Sequence, residues 1–417
     1  MKMYMSEELW EKGKKNIING TSLLSRGPRV NVDGIAPKYF ESAYDGHIVD
    51  VDGHDFIDYG MAVGSVILGY NYFDYPMREV IKIGGNHSLL SKYQVALSEK
   101  LIENIPSCER MKFLSTGSEA TECAIRFARA FNNKPYIIHD HYHGWMSWCA
   151  PKDGGIPKSY STLSIRIEEN DVEKFKPFLE DREVSAVIIE PMKAYETTFE
   201  ERKKFLKELK NICHKNDTLL IFDEIACGYR FGLGGAQKYF GVTPDISAFG
   251  KSIGNGYPLS VVCTSEEIAN DIEDKIFISS TYGGNNTSLY AGYLTTCEME
   301  NKEILEHITD YGKALKEQIN NLSKEYLSYT RVKIVGLPQR LAWNISNWDL
   351  RSVIMQRFIN KHIFFTWEIK NCYSHNFEAD IDNTIEAFEK IIKDCKSLKT
   401  RKQFRRELKG KPMRPIL

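Results

Sequence analysis

The amino-acid sequence predicts an α/β fold whose larger part is a mostly parallel sheet flanked by helices. Between residues 110 and 265, short apolar runs alternate with helical segments, and such runs are typical of buried parallel strands. This alternation is the pattern of a sheet covered by helices on both faces. After about residue 296, long charged helices and short apolar strands predict a smaller α+β domain.

We expect four segments along the chain. Residues 1–50, a helix followed by irregular chain, join the small domain, and residues 51–295 form the large domain. Residues 296–400 form the C-terminal small domain. The strongly basic tail, 401–417, is interpreted as a solvated terminal extension or as a helix that packs on a partner subunit.

The composition is that of an ordinary globular protein. Of the 417 residues, 42% are hydrophobic and 27% charged, and the net charge of −1 indicates neither a nucleic-acid nor a membrane partner. The nine cysteines are scattered without CxxC spacing, which predicts reduced thiols in a cytoplasmic protein rather than disulfides or a zinc site. No apolar run approaches the roughly 18 residues of a membrane span.

Two neighbouring runs place chemically useful side chains at predicted strand ends. The run 219–222 stops on Asp223 and Glu224, and the run 245–250 leads to Lys251. Ligands of parallel sheets bind at the carboxyl ends of the strands. A lysine amine can form an imine with an aldehyde, and an aspartate can keep a pyridine nitrogen protonated. The pair therefore predicts pyridoxal 5'-phosphate as cofactor.

A strong amphipathic helix follows the run 113–115. Its apolar stripe consists of Ala120, Ala124, Phe127, Ala128 and Phe131. Its Thr-Gly-Ser entry presents free N–H groups that suit an anion, although a plain N-cap at Ser118 explains the same residues.

The predicted strand 136–139 is followed by an aromatic loop, 141–145. Its rings suit either stacking on a planar cofactor or packing at the rim of the sheet. Histidines alternate at 139, 141 and 143, but we expect no metal, since no carboxylate or cysteine completes a ligand set nearby. Another buried strand, 184–191, carries Glu190, and the hydroxyl- and glycine-rich segment 276–286 is a second possible phosphate contact.

Several motifs, taken together, resemble class III pyridoxal-phosphate aminotransferases, in particular the glutamate-1-semialdehyde 2,1-aminomutase group. They are FLSTGSEATECAIRFAR, YHGW, LLIFDEIACGYR, GGAQKYFGVTPDISAFGKSIGNGYP and SSTYGGNN. The resemblance covers most of residues 15–395. It implies the type I fold of these enzymes, with the smaller domain built from both termini.

The resemblance also implies roles for residues around the cofactor. Lys251 is the expected Schiff-base lysine, which also transfers the proton, and Asp223 is the expected partner of the pyridine nitrogen. Tyr142 is expected to stack on the ring, with Ile225 on its other face. Glu190 is expected beside the residues that touch the cofactor.

The cofactor phosphate is expected at Gly117, Ser118 and Thr281. In the family that the motifs resemble, the threonine reaches the phosphate of the neighbouring subunit. The resemblance therefore implies a homodimer with shared active sites.

The substrate side departs from the family pattern. By resemblance, Arg26 is expected to bind a substrate carboxylate, although Arg29 could do so instead. Val63 replaces a pocket tryptophan, and Tyr195 lies in an altered loop. Glu368 stands where many members carry a carboxylate-binding arginine, and its charge is expected to repel an ordinary α-carboxylate.

These features favour an aminotransferase that moves an amino group between a small amino donor and an aldehyde or ketone acceptor through a Lys251 Schiff base. The alternatives are an intramolecular aminomutase of the glutamate-1-semialdehyde type and a non-catalytic cofactor-binding homologue. The sequence does not name the donor or the acceptor.

Overall fold

The computed structural model divides into two compact units. It describes residues 3–167, 170–181, 183–194, 197–327 and 332–415. The central unit comprises Phe73–Lys193 and Thr197–Leu305; the terminal unit comprises Met1–Tyr72, Ala194–Glu196 and Glu306–Leu417. The division thus falls after Tyr72 and Leu305, whereas the sequence placed its boundaries after residues 50 and 295.

The strands form three sheets. In chain order they are β1 (Phe40–Tyr44), β2 (His47–Asp50), β3 (Asp55–Asp58), β4 (Arg110–Leu114), β5 (Tyr136–His139), β6 (Ser164–Arg166), β7 (Val184–Ile189), β8 (Leu219–Glu224), β9 (Ile246–Phe249), β10 (Ser260–Thr264), β11 (Lys333–Leu337), β12 (Arg340–Asn344), β13 (Ile363–Phe364) and β14 (Glu368–Ile369).

The helices, in the same order, are α1 (Tyr4–Asn16), α2 (Met61–Gly64), α3 (Asp74–Lys82), α4 (Lys92–Asn104), α5 (Gly117–Asn132), α6 (Lys158–Ser161), α7 (Lys176–Asp181), α8 (Phe199–Lys215), α9 (Gly235–Phe240), α10 (Glu266–Ile272), α11 (Asn286–Met299), α12 (Lys302–Tyr326), α13 (Trp348–Ile359), α14 (Ala379–Cys395) and α15 (Arg401–Glu407). None of the helices in the described part of the chain has the length and apolar character to cross a membrane.

The central unit contains a sheet with the strand order β4-β10-β9-β8-β7-β5-β6. Strands β6, β5, β7, β8 and β9 pair in parallel, and β10 runs antiparallel to both of its neighbours. The predicted mostly parallel sheet is therefore confirmed. Its apolar strands pack with the buried stripe of α5, which includes Ala120, Ala124 and Phe127.

Helix α5 begins at a capping box. The hydroxyl of Thr116 accepts a hydrogen bond from the Glu119 amide, and the Glu119 carboxylate accepts one from the Thr116 amide. The N-cap at Ser118 was therefore wrong, because the extended backbone of Thr116 ends the preceding loop two residues earlier. Gly117 and Ser118 consequently lie in the first helical turn, where N–H groups have no helical partner.

The terminal unit contains the sheets β1-β2-β3-β13 and β11-β12-β14. Residues 46–59 contain a hairpin, in which β2 and β3 pair antiparallel. The sequence prediction missed α13, because most of its residues are buried and no polar face marks its period. The side chains of α12, α13 and α14 surround a core that includes Trp343 and Phe358.

The basic tail is part of the terminal unit. Phe404 on α15 is 1% exposed and Met413 is 5% exposed, and both belong to the core of this unit. Arg401 and Arg405 both pair with Asp349, at 2.9 and 3.3 Å. The interpretation as a solvated extension was wrong, because apolar side chains between the basic ones pack the tail against its own chain.

Candidate active site

Four parallel strands bring polar residues to one edge of the central sheet. Strands β5, β7, β8 and β9 are successive neighbours, and Asp140, Glu190, Asp223 and Lys251 lie at or just beyond their carboxyl ends. Glu224 pairs with Phe249 in the parallel register, so Asp223 and Lys251 leave adjacent strands at the same edge. This edge is where α/β sheets bind ligands.

Asp223 is buried, and its carboxylate orientation is fixed by two donors. Its Oδ1 accepts a hydrogen bond from the Ile225 amide at 3.0 Å. Its Oδ2 accepts one from Nδ1 of His143 at 2.7 Å. The sequence prediction did not include His143 among the site residues, although the YHGW motif contains it.

His143 belongs to a chain of hydrogen bonds that we call the carboxylate–imidazole network. It consists of Asp223, His143, Asp140, His141 and Glu190. Oδ1 of Asp140 lies 2.9 Å from Nε2 of His143 and 2.7 Å from Nδ1 of His141. Nε2 of His141 lies 3.0 Å from Oε2 of Glu190. Glu190 is thus linked to Asp223 through both rings, as a neighbour of the expected cofactor contact.

Lys193 lies at the border of the network. Its Nζ is 2.8 Å from Oδ2 of Asp140. Asp140 therefore receives donors from two histidines and one lysine. Lys193 follows β7, in the segment where the sequence departs from the family that it resembles.

The buried charges shift one another's pKa values. Burial disfavours the charged form of His143, but hydrogen bonds with Asp140 and Asp223 outweigh it and raise its pKa to about 9. Burial opposes the charge of Asp140 as well, yet its two histidine partners hold the pKa of this carboxyl well below its usual value. Burial lowers the pKa of His141 and that of Lys193. His143 is therefore the ring that stays charged at neutral pH.

The expectation about metal rested on an argument that the structure overturns. Asp140 does supply a carboxylate, and one ligand atom each from Asp140, His141 and His143 lie within 4.8 Å of one another. Each ring nitrogen of His141 and His143, however, faces a carboxylate oxygen at hydrogen-bond distance. Hydrogen bonding therefore accounts for the arrangement of these groups.

The start of α5 forms a cradle with Ile225. A Cβ atom on Gly117 would lie 2.8 Å from the Ile225 side chain, and one on Gly250 would lie 3.0 Å from it. Gly144, at φ +125°, passes so close to Ser118 that a Cβ would lie 2.6 Å from its hydroxyl. The structure thus brings together Gly117, Ser118 and Ile225, beside N–H groups that suit an anion.

Lys251 directly follows Gly250 and opens a short 3₁₀ turn, Lys251–Gly254. Its φ of +49° lies in the left-handed region. A non-glycine residue in this region costs about 1 kcal/mol or more, and such residues cluster at functional sites. The backbone around Lys251 is therefore set by the surrounding structure rather than by local preference.

The structure places Tyr142 and Thr281 in more exposed positions. Tyr142 is half-exposed, and burial together with electrostatic interactions with Cys149 and Asp223 raises its pKa. Thr281 lies in an exposed turn before α11, where its carbonyl accepts a hydrogen bond from Asn86 at 3.1 Å. Tyr142 thus lies near Asp223, whereas Thr281 is on the surface of its own chain.

The predicted carboxylate-binding arginines lie in the terminal unit. Arg26 ends the 3₁₀ turn Leu24–Arg26, and both Arg26 and Arg29 are exposed. Burial raises the pKa of Asp58, and the positive charge of Arg26 counteracts part of this shift. The Arg26 guanidinium is therefore within electrostatic range of a buried carboxyl.

Val63 lies in a run of left-handed residues. Met61, Ala62, Val63 and Gly64 have φ values of +40°, +49°, +61° and +82°. A β-branched residue in this region is a rare outlier, and such strain is typical of ligand-binding segments. Tyr195, the other predicted residue of the substrate side, lies outside the described residues.

Glu368 on β14 is paired on both carboxylate oxygens. Nη2 of Arg340 lies 3.0 Å from Oε1, and the ammonium of Lys370 contacts Oε2. Both cations are largely buried. The expected repulsion between Glu368 and a substrate carboxylate is weakened by this pairing, because the two cations compensate the negative charge.

Comparisons with known proteins agree with this geometry. Residues 33–347 match the profile of the family described as Aminotransferase class-III. The chain is 31% identical to 3-aminobutyryl-CoA aminotransferase of Cloacimonas acidaminovorans, over 95% of this chain and 99% of that protein. It is also 31% identical to glutamate-1-semialdehyde 2,1-aminomutase of Fusobacterium nucleatum, over 79% of this chain and 80% of that protein.

Solved structures share the fold. The PLP internal aldimine form of the FumI protein of Sphingopyxis sp. MTA144 superposes with a TM-score of 0.87 at 22% identity, covering 94% of this chain and 96% of that one. An omega-transaminase from Sphaerobacter thermophilus superposes with a TM-score of 0.83 at 22% identity, covering 93% of this chain and 97% of that one. The expected fold class is thereby confirmed.

Proposed function

The chain belongs to the class III aminotransferase family, and we propose that it uses pyridoxal 5'-phosphate to move an amino group between a small amino donor and an aldehyde or ketone acceptor. The observation that carries this proposal is the placement of Asp223 and Lys251 at adjacent carboxyl ends of parallel strands. An acid for the pyridine nitrogen and an amine for the aldehyde are thus presented at one edge.

The residues at this edge fit the cofactor. The cradle of Gly117, Ser118 and Ile225 suits a phosphate, since the first amides of α5 have no helical acceptor and a Cβ at Gly117 would fill the space. Tyr142 and Ile225 supply apolar contacts for a planar ring. Once bound, pyridoxal phosphate supplies an electron sink for the carbon that carries the transferred amine.

Two side chains carry the chemistry that the protein contributes. The carboxylate of Asp223 holds a proton at the pyridine nitrogen. The Lys251 amine holds the cofactor and then transfers a proton between neighbouring substrate atoms as a general acid and base. Because Lys251 is attached to a constrained backbone, little reorganisation is needed for this transfer.

For the substrate, we propose an amine that is not on the carbon next to a free carboxylate. Glu368 replaces the arginine that binds an α-carboxylate in many family members, and Arg340 is engaged with Glu368. The name 3-aminobutyryl-CoA aminotransferase also describes an amine at the third carbon. Arg26, or in its place Arg29, binds an acidic group of the substrate, and Val63 contacts the substrate.

An intramolecular aminomutase remains a second candidate, favoured by relatives that carry this name. A half-reaction separates the two. The pyridoxal form is mixed with single amino donors, and loss of visible absorbance with release of a carbonyl product is expected for an aminotransferase. Efficient isomerisation of glutamate-1-semialdehyde without a second substrate would contradict that assignment. A protein that binds the cofactor and reacts with neither would be the non-catalytic homologue.

We also propose a homodimer, in which Thr281 contacts the phosphate in the neighbouring subunit. Three apolar residues of the central unit, in the chain segments around Asn86 and Thr281, are exposed: Leu89 (85% exposed), Leu90 (87%) and Phe277 (83%). The hydrogen bond between Asn86 and the Thr281 carbonyl joins these two segments. Apolar patches of this kind mark interfaces between proteins.

Sedimentation equilibrium tests the assembly, and a fully active monomer would contradict it. Replacing Leu89 and Leu90 by serine should favour the monomer and lower affinity for the cofactor. The matched control replaces Ile102, an exposed residue of α4, by serine and should leave the mass unchanged.

A cytoplasmic location is proposed from the cysteines. All nine are free thiols, and eight of them are buried. Reduced thiols are typical of cytosolic proteins. Thiol titration of the unfolded protein, purified without reductant, should find nine groups, and immunolocalisation outside the cytoplasm would contradict the proposal.

A further inference from the structure

The carboxylate–imidazole network extends beyond the residue that faces the cofactor. The His143 side chain has no exposed surface, and the indole of Trp148 stacks on its ring at a centroid distance of 6.1 Å. Each of its nitrogens faces a carboxylate oxygen, from Asp223 and Asp140. A ring with a single proton would direct a lone pair at one of these carboxylates. Both nitrogens are therefore donors.

Resting on the proposed function, we propose that Asp140 and Lys193 are positioning residues that set the charge of the cofactor site. Asp140 and Asp223 together hold His143 in its doubly donating form, and Asp223 alone retains the second proton when Asp140 is replaced. His143 in turn keeps Asp223 anionic for the pyridine nitrogen. Lys193 compensates part of the Asp140 charge and so limits this effect.

The position of Lys193 supports an opposing role. Its Nζ lies 2.8 Å from Oδ2 of Asp140, while both histidines bind Oδ1. The two oxygens of one carboxylate thus serve different partners. Removing Asp140 deletes a negative charge behind Asp223, and removing Lys193 deletes a positive one. The two substitutions should therefore shift the pH midpoint of the cofactor absorbance in opposite directions.

Other charges around Asp140 form a constant background. Glu190 faces His141 at 3.0 Å, His139 interacts electrostatically with Asp140 and His143, and Arg166 and Arg202 interact with Lys193. Burial lowers the pKa of His139 to about 4, so this ring stays neutral above that value. The substitutions below leave these groups in place.

The test compares Asp140→Asn and Lys193→Met with the wild-type holoenzyme. The readout is the pH midpoint of the visible absorbance of the bound cofactor, followed by titration. We expect Asp140→Asn to lower this midpoint and Lys193→Met to raise it, each by about 0.5–1 pH unit for one charge removed at this range. Lys158→Met, an exposed lysine on α6, is the control and should leave the midpoint unchanged.

Kinetics provide a second readout. Asp140→Asn should lower kcat about tenfold, as one pH unit of lost stabilisation implies, with KM within about twofold. Shifts in the same direction for both variants, or no shift in either, overturn the proposal. If Asp140→Asn does not fold, Lys193→Met against Lys158→Met decides alone: an upward shift supports the proposal and its absence overturns it. Wild-type protein that gains no visible absorbance with pyridoxal phosphate contradicts the proposed function instead.

Discussion

The residues proposed to hold the cofactor and those proposed to bind the substrate differ in what fixes their charged side chains. Asp223 and Lys251 leave adjacent parallel strands, so the register of the sheet determines their separation. Glu368 and Arg340 belong to short antiparallel strands, and Val63 lies in a left-handed turn. The proposed cofactor residues thus lie on regular structure, and the proposed substrate residues lie on loops and in ion pairs. Substitutions in the loops can therefore change the substrate specificity without altering the reaction chemistry.

The largest effect is expected for Lys251→Ala. Without the amine, no covalent link to the cofactor forms and the proton transfer has no general base, so turnover should fall at least about 1,000-fold. Absorbance spectroscopy and single-turnover kinetics measure both losses. Lys275→Ala, in an exposed ion pair with Asp271, is the control and should retain wild-type values. An unchanged visible spectrum in Lys251→Ala would refute the cofactor assignment.

Asp223→Asn should have the next largest effect. The amide cannot keep the pyridine nitrogen protonated, so kcat should fall about 100-fold or more with every donor tested. Steady-state kinetics with two donors, one carrying a carboxylate and one not, checks the prediction. A loss of kcat confined to one donor would mean that Asp223 acts on the substrate and would contradict its assignment to the cofactor.

His143 should make the stability of the apoprotein depend on pH. Its folded pKa of about 9 is above its usual value of 6.5, so its stabilisation is complete below pH 6.5 and is lost as the pH rises through 9. Between these values, wild type should lose about 2–3 kcal/mol more than His143→Gln. Guanidinium unfolding at both pH values measures the difference. If the free energy of unfolding falls by the same amount between pH 6.5 and pH 9 in the two proteins, His143 is not charged in the folded state.

Glu368→Gln should act on specificity. Removing the carboxylate releases Arg340 and Lys370 from their ion pairs, so KM for a carboxylate-bearing amine should fall about three- to tenfold. KM for an uncharged amine and kcat for both should stay within about twofold. If the two KM values change equally, Glu368 does not discriminate substrate charge.

Val63→Gly should have the smallest effect on stability. Glycine adopts φ +61° without the strain of a β-branched residue, so the free energy of unfolding should rise by about 0.5–1 kcal/mol. Ala269→Gly, inside α10, is the control and should lower it by a similar amount. Thermal unfolding measures both. A decrease in both variants would mean that Val63 packing outweighs its strain.

The sequence predicts the strands that lead to Asp223 and Lys251 well, because they are continuous apolar runs. His143 was missed because its partner Asp223 is distant in the chain. Asp140 was missed although it lies between two of the histidines, since sequence does not show which way a loop side chain points.

Other features of the fold could not be predicted from the sequence because they also depend on contacts between distant parts of the chain. Helix α13 has little polar face, so its periodicity gives no pattern to recognise. The tail was misjudged because its many charges hid two apolar residues, Phe404 and Met413, that only the folded core reveals. The pairing of Glu368 with Arg340 and Lys370 depends on strand contacts that no local pattern encodes.

The strand order β4-β10-β9 affects how the protein folds during its synthesis on the ribosome. Strand β4 joins the sheet through β10, about 150 residues later in the chain. Strand β4 and the start of α5 therefore cannot take their places in the sheet before Thr264 has been synthesised. Contacts between such distant residues form slowly. We therefore expect Gly117 and Ser118, the residues proposed to hold the cofactor phosphate, to reach their final positions late in the assembly of the central unit, after that strand has been added.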